Sequence, residues 1–380
     1  MLGPKSKKMQ SRNNYRFFNL PKEYGISDYK KASSAVVGRY SKIKNLISIY
    51  NWGDPSVPGI SDIDLMLVFN GSPSSLPISK RSYIFLDPNT KYLMYHPFII
   101  IDEDSFRNAR YVYRNTKFNL LYGKNVRIRN ISQAENEYSD AALLNDIIIR
   151  HYPRDFLEQL VRKNIDVRGT LLRLNSLKYS LGIIDGLTNE KNKHENKLKQ
   201  IDDLRKNWFK NNDFDMLASL NEDAVGIAME ITERFREYLI KNSMLKITSG
   251  DEVNYEGVKN RSYFVKSWNR ENSLKSMSKN IIEKKKFYSI LPIELAPQLF
   301  EYSEKHGPVS GYIRQKLKGN ISYELKNKNI AEQRIAVFNS QAELALKLKH
   351  SDFAAFFDFG YRNKSGINNW ILGMLDTVRH

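Results

Sequence analysis

The stretch Ile60-Ser61-Asp62-Ile63-Asp64-Leu65-Met66-Leu67-Val68-Phe69 constrains this chain more than any other. From Leu65 onward every position is apolar, and a strand that is apolar on both faces lies inside a covered sheet. Residues two apart on a strand point the same way, so Asp62 and Asp64 leave one face side by side. Carboxylates that close repel, and one of them holds a proton at neutral pH unless something positive lies between them. At the tip of a central strand they are costly without such a partner. Hard oxygen ligands of this kind suit Mg²⁺ or Mn²⁺. The bland reading is a solvated strand start, and the apolar continuation on both faces argues against it. Gly53 precedes the strand on a loop, where glycine lets the backbone approach a phosphate closely.

Gly53, the loop carrying Pro55 and Pro58, and Ser61-Asp62-Ile63-Asp64-Leu65 together resemble the signature of the polymerase-β-type nucleotidyltransferase superfamily. In that family a strand ends in Gly-Ser or Gly-Gly, a loop follows, and Asp-hydrophobic-Asp-hydrophobic comes next. The resemblance covers residues 30–130. Asp54 departs from it by standing where the family has Ser or a second Gly, a residue that helps grip the nucleoside triphosphate, and the loop is shorter than usual. The resemblance implies a metal-dependent enzyme, using Mg²⁺ or Mn²⁺, that moves a nucleoside monophosphate from a nucleoside triphosphate to an acceptor hydroxyl. It implies that Asp62 and Asp64 are catalytic metal ligands, that Gly53, Asp54 and Ser61 bind the nucleotide, and that a third carboxylate follows at or near a strand. Asp102, directly after Phe98-Ile99-Ile100-Ile101, is the first choice for that catalytic ligand. Asp104 on the same face and Asp87 are its rivals, and His96 is an adjacent choice of general base. The alternative, favoured by Asp54, is a catalytically degenerate fold serving as an RNA- or nucleotide-binding module.

With 380 residues the chain can bury a large core, and two or three domains are the natural prior. It has no cysteine, which excludes disulfides, thiolate metal sites and cysteine nucleophiles and fits a cytoplasmic location. No apolar run reaches the roughly 18 residues needed to cross a bilayer. A net charge of +18 attracts polyanions such as RNA whatever their sequence. Tyr263, Phe264, Trp268, Phe287 and Tyr288 are interleaved with one basic cluster, as base stacking would require, although a Lys-rich composition alone also spreads positive charge. No nucleophile elbow, phosphate-loop lysine or His-Glu-x-x-His pattern competes with the aspartate pair.

The expected fold class is α/β (α+β): a nucleotidyltransferase-like mixed sheet with flanking helices, then a mainly helical C-terminal region. Residues 1–29 read as a basic arm, 30–134 as the core, 135–245 as a helical domain and 246–380 as a mainly helical C-terminal domain. Within the core the pattern predicts a helix over 30–44 and strands over 46–52, 63–69, 82–86, 91–95 and 98–101, with helix over 105–122. The helix starting at Arg168 presents Arg168, Lys178 and Tyr179 near the expected catalytic side, with Lys178 and Tyr179 as nucleotide-binding residues. A last amphipathic helix spans 331–348, and the aromatic run 353–362 reads as packing rather than a stacking platform.

Overall fold

The computed structural model describes residues 14–349 apart from 54, 72–73, 82–84, 115, 191–192, 258–260 and 285–286. The first elements are β1 (Arg16–Phe18), α1 (Ile26–Tyr40), β2 (Leu46–Trp52), β3 (Asp64–Phe69), α2 (Pro88–Met94), β4 (Ile99–Asp102), α3 (Glu103–Arg107) and β5 (Phe118–Gly123). Four of these strands make a mixed sheet in the order β4-β3-β2-β5. β3 runs antiparallel to β2, with Trp52 opposite Asp64, and parallel to β4, with Phe69 opposite Asp102. The apolar alternation of β3 is buried on both sides. Leu65, Leu67 and Phe69 pack with Val36 and Tyr40 of α1, whereas Met66 and Val68 join the larger core. The chain is α/β, as its pattern implies.

A helical layer follows: α4 (Gln133–Arg150), α5 (Arg154–Val161), β6 (Asn164–Asp166), α6 (Val167–Thr188), α7 (Glu195–Asn211) and α8 (Phe214–Lys241). Ser132 and Glu135 form a capping box that starts α4, and the carboxylates of Asp166 and Asp213 cap α6 and α8. The remainder comprises β7 (Leu245–Ser249), β8 (Glu252–Glu256), β9 (Arg261–Val265), α9 (Arg270–Lys284), β10 (Ser289–Pro292), α10 (Pro297–Glu304), α11 (Pro308–Lys316), β11 (Leu317–Lys318), β12 (Ser322–Leu325) and α12 (Lys328–Lys347). A second four-stranded sheet, β10-β9-β8-β11, sits within this helical remainder. Phe264 and Trp268 are buried there as core, so they offer no stacking surface. One apolar cluster runs from Tyr15 to Ala342 and crosses the borders expected at 134 and 245.

Three local expectations are corrected. Residues 91–95 are not a strand: Asp87 accepts from the amides of Asn89 and Thr90, both at 3.0 Å, and with Pro88 in the first turn starts α2. The stretch 105–122 is not one helix, because α3 ends at Arg107 and the edge strand β5 begins at Phe118. The segment before residue 30 is not wholly an arm. β1 pairs in parallel with β6, and buried Tyr15 donates to Glu222 Oε1 at 2.7 Å. The expected strand at 82–86, the start of the arm, the Lys285-Lys286 end of the basic cluster and the aromatic run 353–362 lie wholly or mainly outside the described residues.

Candidate metal centre

Asp62 ends the loop ahead of β3 and Asp64 opens the strand. The loop is held in shape by its own backbone and by α1. Ser61 Oγ accepts from the Val57 amide at 3.1 Å, and the Tyr29 hydroxyl donates to the Ser61 carbonyl at 2.5 Å. Ser61 is therefore buried within the loop, where its hydroxyl shapes the turn. Gly59 has φ +83°, and a Cβ there would stand 2.2 Å from the Lys22 carbonyl oxygen. Gly59→Ala is accordingly expected to cost about 1–3 kcal/mol, read as a lowered thermal midpoint, and to weaken ion binding by displacing Asp62. At the other rim Gly53, with φ +91°, ends β2. A Cβ on Gly53 would lie 3.4 Å from Asp64 Oδ2, which leaves open approach beside that carboxylate.

The third member of the cluster is His96. Its Nε2 lies 2.6 Å from Asp64 Oδ1 and 3.8 Å from Asp62 Oδ2, and its Nδ1 lies 2.7 Å from the Pro97 carbonyl oxygen. Asp62, Asp64 and His96 each offer a ligand atom, all within 4.8 Å of one another. Topology explains the meeting. β4 is parallel to β3, so the segment leading into β4 stands at the same sheet end as Asp64. The same register overturns Asp102 as a ligand. It pairs with Phe69, five residues along β3 from Asp64, which is about 16 Å at strand rise. There Asp102 accepts from the Ser105 amide at 2.9 Å as the cap of α3 and from the Ser340 hydroxyl of α12. Asp104 lies in the first turn of α3 beside it, and Asp87 is occupied as the cap of α2.

Electrostatics favour positive charge beside the carboxylate pair. Burial and the charge of Asp64 push Asp62 up to about 6, with His96 and Arg168 partly offsetting them. Burial alone would lower the His96 imidazole, but the Asp64 hydrogen bond and both carboxylate charges overcome it and lift the ring to about 9. His96 is thus the built-in positive partner that the carboxylate pair requires. The donor set, two carboxylates and one imidazole, fits a divalent ion.

Arg168, buried near the start of α6, clasps both halves of the cluster. Its Nη1 donates to the Tyr92 carbonyl at 2.6 Å and its Nε to the Ile60 carbonyl at 3.3 Å, while its guanidinium lies 3.9 Å from the centre of the Tyr92 ring. Those carbonyls precede His96 and Asp62 by a few residues. Arg168→Ala is expected to weaken divalent-ion affinity about tenfold or more, measured calorimetrically on protein whose circular dichroism is unchanged. Lys178 does not reach the cluster as expected, because its Nζ is paired with Asp202 of α7 at 2.8 Å. Tyr179 points its hydroxyl toward the Arg114 carbonyl, at 3.5 Å. The cation of α7 on which Asp62 acts is Arg205. Asp54 lies outside the described residues. Arg168 stands beside the cluster, on the side where the helix pattern places it, whereas Arg205 is not legible as a site residue, since a helix pattern does not say which cation faces a neighbouring sheet end. No family model, curated protein or solved structure matches this chain.

Proposed function

We propose that the protein is a metal-dependent nucleotidyltransferase that moves a nucleoside monophosphate from a nucleoside triphosphate to an acceptor hydroxyl. The observation that carries this reading is the convergence of Asp62 and Asp64 with a nitrogen ligand at one open end of a mixed sheet, beside the glycine that ends β2. In the reaction the acceptor oxygen bonds to the α-phosphorus as the bond to pyrophosphate breaks, and the hydroxyl proton passes to solvent water. A divalent ion held at the carboxylates would supply positive charge to the phosphoryl oxygens. Asp62 and Asp64 would hold it, and Arg168 and Arg205 add positive charge near Asp62. The net charge of +18 supports an anionic acceptor such as RNA.

A second reading is favoured by one observation: among the described residues no third carboxylate joins the pair. A degenerate fold that binds nucleotide or RNA without transfer would tolerate that. Incubation of the purified chain with each labelled nucleoside triphosphate and Mg²⁺ or Mn²⁺ separates the two. Pyrophosphate release supports the transferase. Retention of RNA with no release, unaltered by Asp62→Ala, supports the binder.

A further inference from the structure

We propose that His96 is the third ligand of this centre and that its nitrogen sets the ion the protein takes, Mn²⁺ in preference to Mg²⁺. The inference rests on the reading of Asp62 and Asp64 as a metal-holding pair and adds which ion they share with an imidazole.

Three observations point to it. The first is the orientation of the ring. With the Nδ1 proton donated to the Pro97 carbonyl, 2.7 Å away, Nε2 is the nitrogen turned to the carboxylates, and an ion bound there takes the place of the proton Nε2 shares with Asp64. A backbone carbonyl behind the far nitrogen is the usual way a ligating histidine is fixed in tautomer and direction. Neighbouring ligand atoms around an octahedral ion with bonds of about 2.1 Å lie about 3.0 Å apart. The distances of 2.6 and 3.8 Å from Nε2 to the two carboxylates bracket that spacing.

The second is the rigidity of the backbone that carries the ring. α2 ends at Tyr95 with φ +53°, a conformation rare for a tyrosine, and the His96 amide donates back to the Met94 carbonyl. The Ile63 amide donates to the Leu93 carbonyl at 2.9 Å, and Arg168 holds the Tyr92 carbonyl at 2.6 Å. The turn bearing His96 is therefore tied directly to the residue between the two aspartates. Strain held in place by surrounding bonds marks positions kept for a purpose.

The third is the set of acids that might have served in place of the ring. Asp102 and Asp104 are at the far end of the sheet, and Asp87 caps α2. His96 alone stands, among the described residues, at the position from which a third ligand would meet Asp62 and Asp64.

The consequence is chemical. Mg²⁺ favours an octahedron of oxygens at about 2.0–2.1 Å and gives up water reluctantly. An imidazole nitrogen is a softer donor, suited to first-row transition ions, whereas Mn²⁺ is at home with carboxylates and accepts the nitrogen as well.

The test uses the full chain, stripped of metal with a chelator and titrated with Mn²⁺ and with Mg²⁺ by calorimetry, with pulsed electron paramagnetic resonance on the Mn²⁺ form. Expected are tighter binding of Mn²⁺ and a hyperfine coupling from a directly bound ¹⁴N nucleus. In His96→Asp, which returns an oxygen to the position, that coupling disappears and the Mn²⁺-to-Mg²⁺ affinity ratio falls about tenfold or more. Mn²⁺ bound in the wild type without nitrogen coupling overturns the inference and leaves the aspartate pair standing. So does an affinity ratio identical in the wild type and His96→Asp. Failure of the wild type to bind either ion overturns both readings. The nitrogen coupling is measured on the unaltered protein, so a poorly folding variant does not blunt the test.

Discussion

Asp62→Ala and Asp64→Ala, each alone, are expected to cut pyrophosphate release at least about a thousandfold, because the charge that a bound ion places on the phosphoryl group contributes several kcal/mol. The loss is to be read beside the thermal midpoint, which Asp62→Ala would not lower. Asp62 is pushed up to about 6 from an ordinary value of 3.8 by burial and by Asp64. A carboxyl raised in the folded state binds its proton more tightly there than in the unfolded chain. Its ionised form therefore costs stability above pH 6, and that cost vanishes as pH falls through 6 toward 4. Asp62→Asn, free of metal, should accordingly melt higher than the wild type at pH 8, and the gain should shrink at pH 5 and disappear at pH 4. Activity lost together with stability gained is the signature of a group kept for function. A variant that melts lower at pH 8 would show instead that Asp62 holds the structure together.

Arg334→Met is expected to cost about 3–5 kcal/mol, the cost of leaving a fully buried charge without its partner. Arg334 of α12 and Asp146 of α4 are both wholly buried, with Nη2 2.6 Å from Oδ2. The guanidinium is engaged on every side. Nε donates to the Tyr302 hydroxyl at 3.0 Å and Nη1 donates to the Tyr111 carbonyl. Gln298 Nε2 and the Tyr302 hydroxyl donate to the Asp146 carboxylate at 2.6 and 3.1 Å. Four separate segments thus share one ionic knot. For a chain of this length the loss corresponds to a drop of about 4–6 °C in the thermal midpoint. A double change, Arg334→Met with Asp146→Leu, should recover part of it, because an apolar pair of similar bulk avoids the stranded charge. An unchanged midpoint in the single variant would remove this account of the knot.

The aspartate pair and its strand were legible because burial on two faces leaves an unmistakable apolar run, and Gly53 marks where the preceding strand stops. The helical texture after the core was legible for the same reason at a different period, while the start of α4 at Gln133 is set by the capping box of Ser132 and Glu135. The place of His96 beside the pair was not legible. The pattern puts an acid after Phe98–Ile101 because the direction of a strand relative to its neighbour is not written in its residues. Once β4 is parallel to β3, the position that meets Asp64 comes before the strand, where His96-Pro97 stands. Residues 91–95 are apolar and aromatic enough after Lys91 to suggest a strand, yet Asp87-Pro88 is a helix start, and that local signal prevails. Pairing of β1 with β6, 148 residues apart at Arg16 and Asn164, depends on long-range packing that no local pattern reports.

The return of α12 to the first sheet bears on how the chain is made. Leu344, Ala345 and Leu348 close the side of the sheet lined by Leu65, Leu67 and Ile100, while Gln341 donates to the Tyr113 hydroxyl at 2.8 Å. During synthesis that side has α1 but not its α12 cover until α12 has cleared the ribosome, although the strands it covers emerge more than two hundred residues earlier. The nascent chain must wait with part of an oily flank uncovered. A fragment cut after the aspartates' own sheet would inherit that flank for good, and aggregation of such a piece would follow from its missing lid.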